Sequence, residues 1–331
     1  MTTQTSINAE SNTLRYTGKT GALYKLWLVN FLLNVITLNI HSFWAMVKLR
    51  KFMTAGFILN NDRFEHTGTA KELIIGFFKG LLLVAVILGP LLGLEIFLAT
   101  QLKHDEGHLS YSSLYMGVLT LRTIIMVVLI IVAQYASLRY KIARTQWRGI
   151  RARLQGNLLG FAALSLVRTF LNCATLGLLI PRSDSKITAY IVEHLSFGNV
   201  QPSFTESPGE LTKINIITLL LILPTLGISR CWYIAAFMRY RFKHLALGGL
   251  QFSSDVKGGD IFSLYFINVL LFLVTLSLGI PLILQRNARF TAQHVTILGN
   301  IDAVEFAQIA RDNRNLGEGL ANFLETDFAL I

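Results

Sequence analysis

A four-residue pattern that returns every fifty residues constrains the fold of this chain more than any other feature. It reads Thr-Leu-Gly-Leu at 175–178, Thr-Leu-Gly-Ile at 225–228 and Thr-Leu-Ser-Leu at 275–278. Nineteen residues after each threonine comes a histidine, and four residues before that histidine comes an aromatic side chain. These pairs are Tyr190 and His194, Tyr240 and His244, and Phe290 and His294. Several offsets that keep one register over three copies predict an internal repeat.

A degenerate copy of the pattern lies near the start of the chain. It reads Thr-Leu-Asn-Ile at 37–40, and Phe52 occupies the aromatic offset, but no histidine follows at the expected place. Two long apolar segments, 73–100 and 114–136, lie between this copy and the other three. Each can form a helix of about 20 residues or more, which is enough to cross the hydrocarbon core of a membrane.

The amino-acid composition indicates a membrane protein. Hydrophobic residues make up 53% of the chain and charged residues 15%, whereas soluble domains carry about 25% charged residues. The mean hydropathy is +0.52. Two cysteines, Cys173 and Cys231, are too few to build a disulfide framework or a zinc site by themselves. Residues 1–20 are polar, so we expect no cleaved signal peptide.

The distribution of charge predicts which ends of the long apolar segments face the cytoplasm. The formal net charge is +11, and basic residues near membrane ends are retained on the cytoplasmic side. The loop 101–111 has Lys103 against Asp105 and Glu106, whereas the segment after the second helix is basic and has no acid. We therefore place the loop outside and the basic segment inside, where it can bind anionic lipid head groups or act only as an anchor. Its basic residues are Arg139, Lys141, Arg144, Arg148, Arg151 and Arg153.

Two topologies are compatible with the apolar runs of the repeats. If every run crosses the membrane, the basic stretches of successive repeats alternate between its two faces. If Thr-Leu-Gly-Ile is instead a break inside a helical hairpin, both limbs return to one face and the basic residues stay cytoplasmic. The apolar limb 23–37 is about 22 Å long, which is shorter than the hydrocarbon core of about 30 Å. We therefore favour hairpins.

The predicted fold is an all-α polytopic membrane protein built from internal repeats of about 50 residues, as broken helices or helical hairpins, with short cytoplasmic strand-like segments. We expect a disordered N-terminal segment 1–13, a single membrane domain 14–300 and a C-terminal tail 301–331. The membrane domain is predicted to comprise a degenerate module, a helix pair and three further modules, at 14–70, 73–138, and about 157–200, 210–250 and 260–300.

Several motifs resemble those of one bacterial family. They are Thr-Leu-Asn-Ile at 37–40 followed by Phe-Trp-Ala at 43–45, Trp-Arg-Gly-Ile-Arg at 147–151, and Thr-Leu-Gly-Leu at 175–178 followed by Pro181. Over residues 14–300 the chain resembles the YjgN family of inner-membrane proteins, whose function is unknown. The resemblance implies a multi-pass protein of the bacterial inner membrane, and it implies no catalytic or ligand residues. The chain departs from the family pattern at Asn39, Ser277 and Cys231.

Polar side chains inside the apolar runs are the first candidate site. Seven residues before each threonine of the pattern lies a polar residue: Asn30, Arg168, Thr218 or Asn268. A polar group is costly in a membrane and usually faces the protein interior. These four side chains therefore either line a polar path or form hydrogen bonds between packed helices.

Glu95 and Arg122 lie about one helical turn out of level in the two long apolar segments. They can form a structural ion pair or a proton or substrate site. The repeated histidines are weak metal candidates, since a histidine at a recurring strand start is more often a turn or edge residue. Enzyme motifs such as a phosphate-binding loop are absent from the sequence, so we expect no catalysis and no cofactor.

Two classes of function remain open on the sequence. The class that we favour is a transporter or channel-like protein for a small solute, an ion or a lipid, because repeated broken helices are typical of transporters. The other is a non-transporting scaffold or lipid-organising protein that acts through its basic cytoplasmic face. We expect membrane lipids, including anionic ones, as partners, and a homo-oligomer is compatible with the sequence. Nucleic-acid binding is not expected, because the basic residues adjoin apolar segments.

Overall fold

The structure, a computed structural model, describes residues 11–104, 109–276, 278–301 and 304. The first ten residues of the expected disordered segment, and nearly all of the expected tail, lie outside the described residues. The chain divides into two compact units. The larger unit takes its residues from Met1–Thr69, Ile142–Gly156 and Arg168–Arg311, and the smaller one includes Ala70–Lys141 and Asn157–Val167.

The described residues form ten helices, which follow one another along the chain as five pairs. In four of the pairs both helices are short, and the second helix carries basic residues. The pairs are α1 (Thr20–Ile36) and α2 (Ser42–Ala55), α3 (Ala70–His104) and α4 (Leu109–Ala143), α5 (Leu158–Ala174) and α6 (Ile180–Glu193), α7 (Gly209–Leu220) and α8 (Arg230–Lys243), and α9 (Gly258–Val274) and α10 (Ile280–Gln293).

Short strands separate the helix pairs, and all of those described belong to the larger unit. They are β1 (Ser11–Tyr16), β2 (Phe57–Leu59), β3 (Asp62–His66), β4 (Thr145–Trp147), β5 (Ile150–Leu154), β6 (Leu195–Phe197), β7 (Pro202–Phe204), β8 (Leu245–Leu247), β9 (Leu250–Ser254) and β10 (Val295–Leu298). Tight turns join β2 to β3, β4 to β5 and β8 to β9. Their central residues, Asn60-Asn61, Arg148-Gly149 and Gly248-Gly249, all have positive φ, as two-residue hairpin turns require.

Antiparallel hydrogen bonds connect these strands in the order β6-β5-β4-β3-β2-β1-β10-β9-β8-β7. Strands from distant parts of the chain pair directly, for example Phe64 of β3 with Trp147 of β4 and Asn12 of β1 with Ile297 of β10. The expected all-α class is therefore corrected. The strand-like segments were predicted as short separate pieces, but they pair with one another because each satisfies the backbone hydrogen bonds of the next.

The two ends of this sheet are brought together by the chain itself. β6 and β7 follow each other in sequence, and Phe197 and Val200 form a bridge in the connection between them. One apolar cluster draws side chains from strands far apart in the strand order: Leu59, Trp147, Leu250 and Ile297, with Ile301 just beyond β10. The sheet is thus a curled ring around a single core.

Each short helix pair begins and ends at neighbouring strands of the ring. The paired strands are β1 with β2, β5 with β6, β7 with β8 and β9 with β10. Neighbouring strands lie about 4.8 Å apart, so the two ends of such a pair cannot lie on opposite faces of a membrane about 30 Å thick. The short pairs are therefore helical hairpins, and the alternative of one crossing in each repeat does not fit the structure.

The α7–α8 hairpin differs from the others because of a proline. α1, α5 and α9 each end one residue before the threonine of the pattern, whereas α7 ends at Leu220, five residues before Thr225. Pro224 lacks a backbone N–H, and its ring clashes with the carbonyl of the residue four positions earlier. That residue is Leu220. Turns replace the helix from there to Ser229.

The smaller unit contains two helices that are long and apolar enough to cross a membrane. The apolar parts are Ala70–Leu102 and Ser112–Ala143, whose most apolar windows of 18 residues have mean hydropathies of 2.6 and 2.5. Only 17% and 11% of their most apolar windows are buried within the protein. A core helix of a soluble protein would be mostly covered, so these exposed apolar surfaces are suited to contact with lipid.

Candidate functional site

The Thr-Leu turns have one backbone geometry in all four hairpins. The leucine has a φ between +47° and +51° in each case, at Leu38, Leu176, Leu226 and Leu276. The next residue also has positive φ at Asn39 (+71°), Gly177 (+87°) and Gly227 (+84°). Left-handed backbone is unfavourable for leucine by about 1–2 kcal/mol, so the turn must be stabilised by other contacts.

Hydrogen bonds within the turn supply that stabilisation. In the first hairpin the amide of Thr37 donates to Leu33 O, that of Leu38 to Val35 O and that of Asn39 to Asn34 O. The amides of Ile40 and Ser42 donate to Thr37 O and Asn39 O. The amide of His41 donates to Thr37 Oγ1 over 3.0 Å. Every backbone amide from 37 to 42 therefore has an acceptor inside the turn.

The same bonds recur at 175–180 and 225–230. The threonine hydroxyl is the acceptor for the amide four residues later in each case, namely for Leu179 (3.4 Å) and Ser229 (3.1 Å). In the fifth pair Thr275 accepts from Gly279 over 2.7 Å. Each hydroxyl also donates to the carbonyl four residues before it. A valine could not replace the threonine in this role.

The leucine side chains at these turns are almost fully exposed. Their exposed fractions are 89% for Leu38, 83% for Leu176, 92% for Leu226 and 85% for Leu276. We call these four leucines the hairpin tips. An apolar tip on a turn whose amides are already paired can enter hydrocarbon without leaving an unsatisfied N–H, which would cost several kcal/mol there.

Three of the polar residues predicted to lie inside the apolar runs bond across their own hairpin, namely Asn30, Thr218 and Asn268. Asn30 is buried, and its Oδ1 lies 3.1 Å from His41 Nε2. Thr218 is buried as well, and its backbone carbonyl accepts a hydrogen bond from Ser229 Oγ over 2.7 Å. These contacts join the outgoing limb of the hairpin to the returning limb, as helix-packing hydrogen bonds do.

Asn268 and Arg168 are less completely bonded. Asn268 Nδ2 donates to Asn287 Oδ1 over 2.8 Å, but its own Oδ1 is buried and has no hydrogen-bond partner in the described structure. Arg168 is half-buried, and its Nε is likewise without a partner there. The four predicted side chains are thus distributed over four separate hairpins and share no hydrogen bond with one another.

The smaller unit brings Glu95 and Arg122 together. Arg122 Nε lies 2.9 Å from Glu95 Oε1, and the side chains are 31% and 10% exposed, respectively. In a pair of apolar helices each charge needs the other, because an uncompensated charge in this environment is costly.

The three repeated histidines lie apart and contact the aromatic residue four positions earlier. The ring centroids are 4.3 Å apart for Tyr190 and His194, 4.6 Å for Tyr240 and His244, and 4.5 Å for Phe290 and His294. Burial lowers the pKa of His244, and the charge of Lys243 lowers it further. Among the described residues no group of three metal-ligating side chains is found.

The predicted lipid-binding residues are divided between the two units. Arg139 and Lys141 lie near the end of α4, whereas Arg144, Arg148, Arg151 and Arg153 lie on or beside β4 and β5. Arg148 is bonded to Asp62 and its guanidinium carbon lies 4.5 Å from the Trp147 ring centroid. Arg148 therefore makes contacts within the ring of strands.

A set of buried contacts between hairpins was missed in the sequence. The position ten residues after each threonine of the pattern is 6% exposed or less, at Val47, Ser185, Ala235 and Gln285. Ser185 Oγ lies 2.9 Å from Tyr240 OH, and Gln285 Nε2 donates to Gly18 O over 2.6 Å. The basic residues nearby made these helices look like solvated surfaces, but the fixed offset from the threonine was a usable signal.

These features together define a class of membrane protein: a curled ring of strands that bears four short hairpins with apolar tips, and two long helices able to cross the bilayer. A model of the bacterial protein family of unknown function DUF898 matches residues 11–228 and 214–323. The chain belongs to this family, and the resemblance to YjgN proteins is confirmed.

One curated relative is the Inner membrane protein YjgN of Salmonella typhimurium, which is 45% identical over 65 residues. The aligned stretch is 20% of this chain and 16% of the relative, so it spans well under a fifth of the relative's length. The relative's name supports a location in the inner membrane. No solved structure matches the chain.

Proposed function

We propose that this chain is a non-transporting scaffold of the bacterial inner membrane that organises the lipids of one leaflet. The observation that carries the proposal is the geometry of the hairpin tips, where exposed leucines cap turns whose amides are already paired. In this proposal the ring faces the cytoplasm, the short hairpins enter the membrane from that side, and α3 and α4 cross it. We also infer that the hairpins are copies of one module.

The lengths of the hairpins support insertion past the middle of the bilayer without a full crossing. α1, α5 and α9 have 17 residues each, which corresponds to about 25 Å of helix. A helix of that length, starting at the membrane surface, ends before it has crossed a core of about 30 Å. Four hairpins that start at one ring therefore add volume mainly to the leaflet that they enter.

The polar contacts also favour a scaffold over a transporter. Asn30 bonds with His41, and Thr218 with Ser229, inside their own hairpins. Side chains that line a transport path instead present polar groups to a cavity shared between helices. No enzymatic activity is part of the proposal.

A transporter or channel for a small solute, ion or lipid is the second candidate, because one buried polar cluster joins two hairpins. Arg230 donates from Nη1 to Asn215 Oδ1 over 2.9 Å, and its guanidinium carbon lies 4.4 Å from the Tyr233 ring centroid. Tyr233 OH donates to Asp184 of the preceding hairpin over 2.7 Å. Charged groups at membrane depth often mark ion pathways.

Reconstitution into vesicles distinguishes the two candidates. A protein that inserts four hairpins into one leaflet should expand that leaflet and reduce the vesicle diameter as the protein-to-lipid ratio rises. The double variant Leu38→Asp and Leu226→Asp should lose this effect, because a carboxylate at a tip opposes insertion by about 2–3 kcal/mol. The matched control places aspartate at Ser203 on β7, far from any tip.

The vesicle diameter and the ion conductance together decide between the scaffold and the channel. A diameter that falls with the unmodified protein and with the Ser203→Asp control, but not with the tip variant, supports the scaffold. If the diameter does not change and the vesicles conduct ions in a manner that Arg230→Gln abolishes, the scaffold is wrong and the channel replaces it.

A further inference from the structure

We propose that the cavity between β1, the start of α1 and the end of α10 binds a phosphate group. Its volume is about 630 Å³, and its lining includes Arg15, Lys19 and Arg289 together with Tyr16 and Gly18. Pockets of this size accommodate a lipid head group or a small phosphorylated molecule. This site lies apart from the arginine-rich segment of β4 and β5 that the sequence singled out.

Among the described residues, no carboxylate neutralises the charges in this cavity. None lines the cavity there, and within the same ranges Arg15, Lys19 and Arg289 make no ion pair. Three cations around one cavity repel each other, and an anion relieves that repulsion. Arginine also presents a planar fork of donors that matches the oxygen atoms of a phosphate.

The backbone adds to the positive potential at the same place. Lys19 is the residue before the first turn of α1; no side chain caps that helix, and its first turn contains no acidic residue. The free amides of a helix start carry a partial positive charge and can donate hydrogen bonds to an anion. The start of α1 therefore adds positive potential beside the three cationic side chains that line the cavity.

A second cavity at the equivalent place in the preceding hairpin shows the contrast. It has a volume of about 470 Å³ and lies between α8 and β9, where Arg239 occupies the position fifty residues before Arg289. In that cavity both basic side chains bind other groups of the protein: Arg239 donates to the carbonyl of Val256, and Lys243 lies 3.7 Å from Glu210. The β1–α10 cavity lacks both arrangements, which is why we assign the phosphate site to it alone.

The phosphate can come from a lipid head group or from a soluble molecule. The lipid source rests on the proposed function, since it requires the hairpins to lie in the membrane and the helix starts to lie at head-group level. Binding of a soluble phosphate compound does not require the hairpins to lie in the membrane. Two probes therefore have to be used: phosphatidylglycerol, and inorganic pyrophosphate.

The experiment uses the purified full-length chain in mild detergent. Native mass spectrometry measures retained phosphatidylglycerol against phosphatidylcholine, and calorimetry measures pyrophosphate affinity. Arg289→Gln and Arg15→Gln should each weaken binding of the true ligand about fivefold, the effect of one basic residue at an anionic surface. Arg63→Gln is the matched control, because Arg63 is an exposed arginine on β3 outside the cavity. Tryptophan fluorescence during heating verifies that each variant folds.

Each result decides something. Weaker phosphatidylglycerol binding in both cavity variants, with the control unchanged, identifies a lipid head-group site. Weaker pyrophosphate binding alone identifies a soluble phosphate ligand, and the site then stands even if the vesicle experiment refutes the scaffold. If the folded cavity variants bind both probes as the unmodified chain does, or if Arg63→Gln weakens binding equally, the site is disproved.

Discussion

The α3–α4 pair and the short hairpins differ in length, and the difference determines how each meets a membrane. α3 has 35 residues and α1 has 17, or about 52 Å and 25 Å of helix. Only the long pair can cross a core of about 30 Å and turn in water on the far side. In the proposed arrangement the short pairs turn inside the membrane, and among the described residues only they carry the Thr-Leu turn. The turn motif, rather than the apolar length, therefore marks a hairpin.

The largest effect is expected in the long pair. Glu95→Gln or Arg122→Gln alone should destabilise the protein by about 3 kcal/mol, since each strands a charge among apolar helices. The double variant should cost less than either single one, because both charges are then gone. Unfolding in mixed micelles with increasing dodecyl sulfate measures this. Costs that simply add in the double variant would show that the two side chains do not stabilise each other.

The second largest effect is expected at the threonine hydroxyl of a hairpin turn. Thr37→Val should destabilise the first hairpin by about 2 kcal/mol, because the amide of His41 loses its acceptor at a position that the proposed insertion places in the membrane. Thr37→Ser keeps the hydroxyl and should cost less than about 0.5 kcal/mol. The same titration with dodecyl sulfate serves here. Equal losses in both variants would mean that the hydroxyl is not what holds the turn.

A smaller effect tests the left-handed backbone of the turn. A methyl group at Gly227 would contact nothing within 4 Å, and the φ there is +84°. Gly227→Ala should therefore cost about 1 kcal/mol through backbone conformation alone. Gly227→Asn should cost less, because asparagine tolerates this region and Asn39 already occupies the equivalent place with a φ of +71°. Asparagine proving worse than alanine would contradict the shared turn geometry.

The smallest effect lies in the ring, outside both kinds of helix pair. A hydrogen bond from His294 holds the pKa of Asp255 below its usual value of 3.8. A carboxylate with a lowered pKa stabilises the folded state above its unfolded pKa, and this stabilisation is lost as the pH falls through the folded pKa. Asp255 is 78% exposed, so solvent screening keeps the contribution below about 1 kcal/mol.

Thermal unfolding between pH 5 and pH 2 checks the sign of this effect. The unmodified chain should be slightly more stable than Asp255→Asn near pH 5, and the difference should shrink below about pH 4. A difference that grows as the pH falls would contradict the assigned direction.

The sequence predicted local elements well and the long-range pairing poorly. The fifty-residue spacing of Thr-Leu located three of the turns and the degenerate copy at 37–40 the fourth, since a turn is specified by a few consecutive residues. The curled sheet was not predicted, because strands of three to six residues carry little periodicity and several of their partners lie far away in the sequence. Whether the spacing reflects duplication stays a prediction.

The candidate sites likewise divide into one that local spacing predicts and one that depends on long-range pairing. Glu95 and Arg122 could be paired from helical spacing alone, because both positions follow from the rise along two helices joined by one loop. The cavity that contains Arg15 and Arg289 could not be predicted from the sequence. It lies between the first described strand and the last described helix, which come together through the pairing of β1 with β10. Contacts between residues near the two ends of the chain produce no pattern in the neighbouring sequence.

Labelling of single cysteines tests the central claim, that the short pairs return to the cytoplasmic face. Cysteines replace Ser203 on β7, Ser254 on β9 or Ser110 in α4, in a chain whose Cys173 and Cys231 have been changed to serine. Intact cells are treated with a thiol reagent that cannot cross membranes, and permeabilised cells give the total that can be labelled. The account predicts labelling at Ser110 only, because β7 and β9 belong to one ring and their helices turn back. Labelling of Ser203 in intact cells, with Ser254 protected, would require a full crossing between them and would contradict the account.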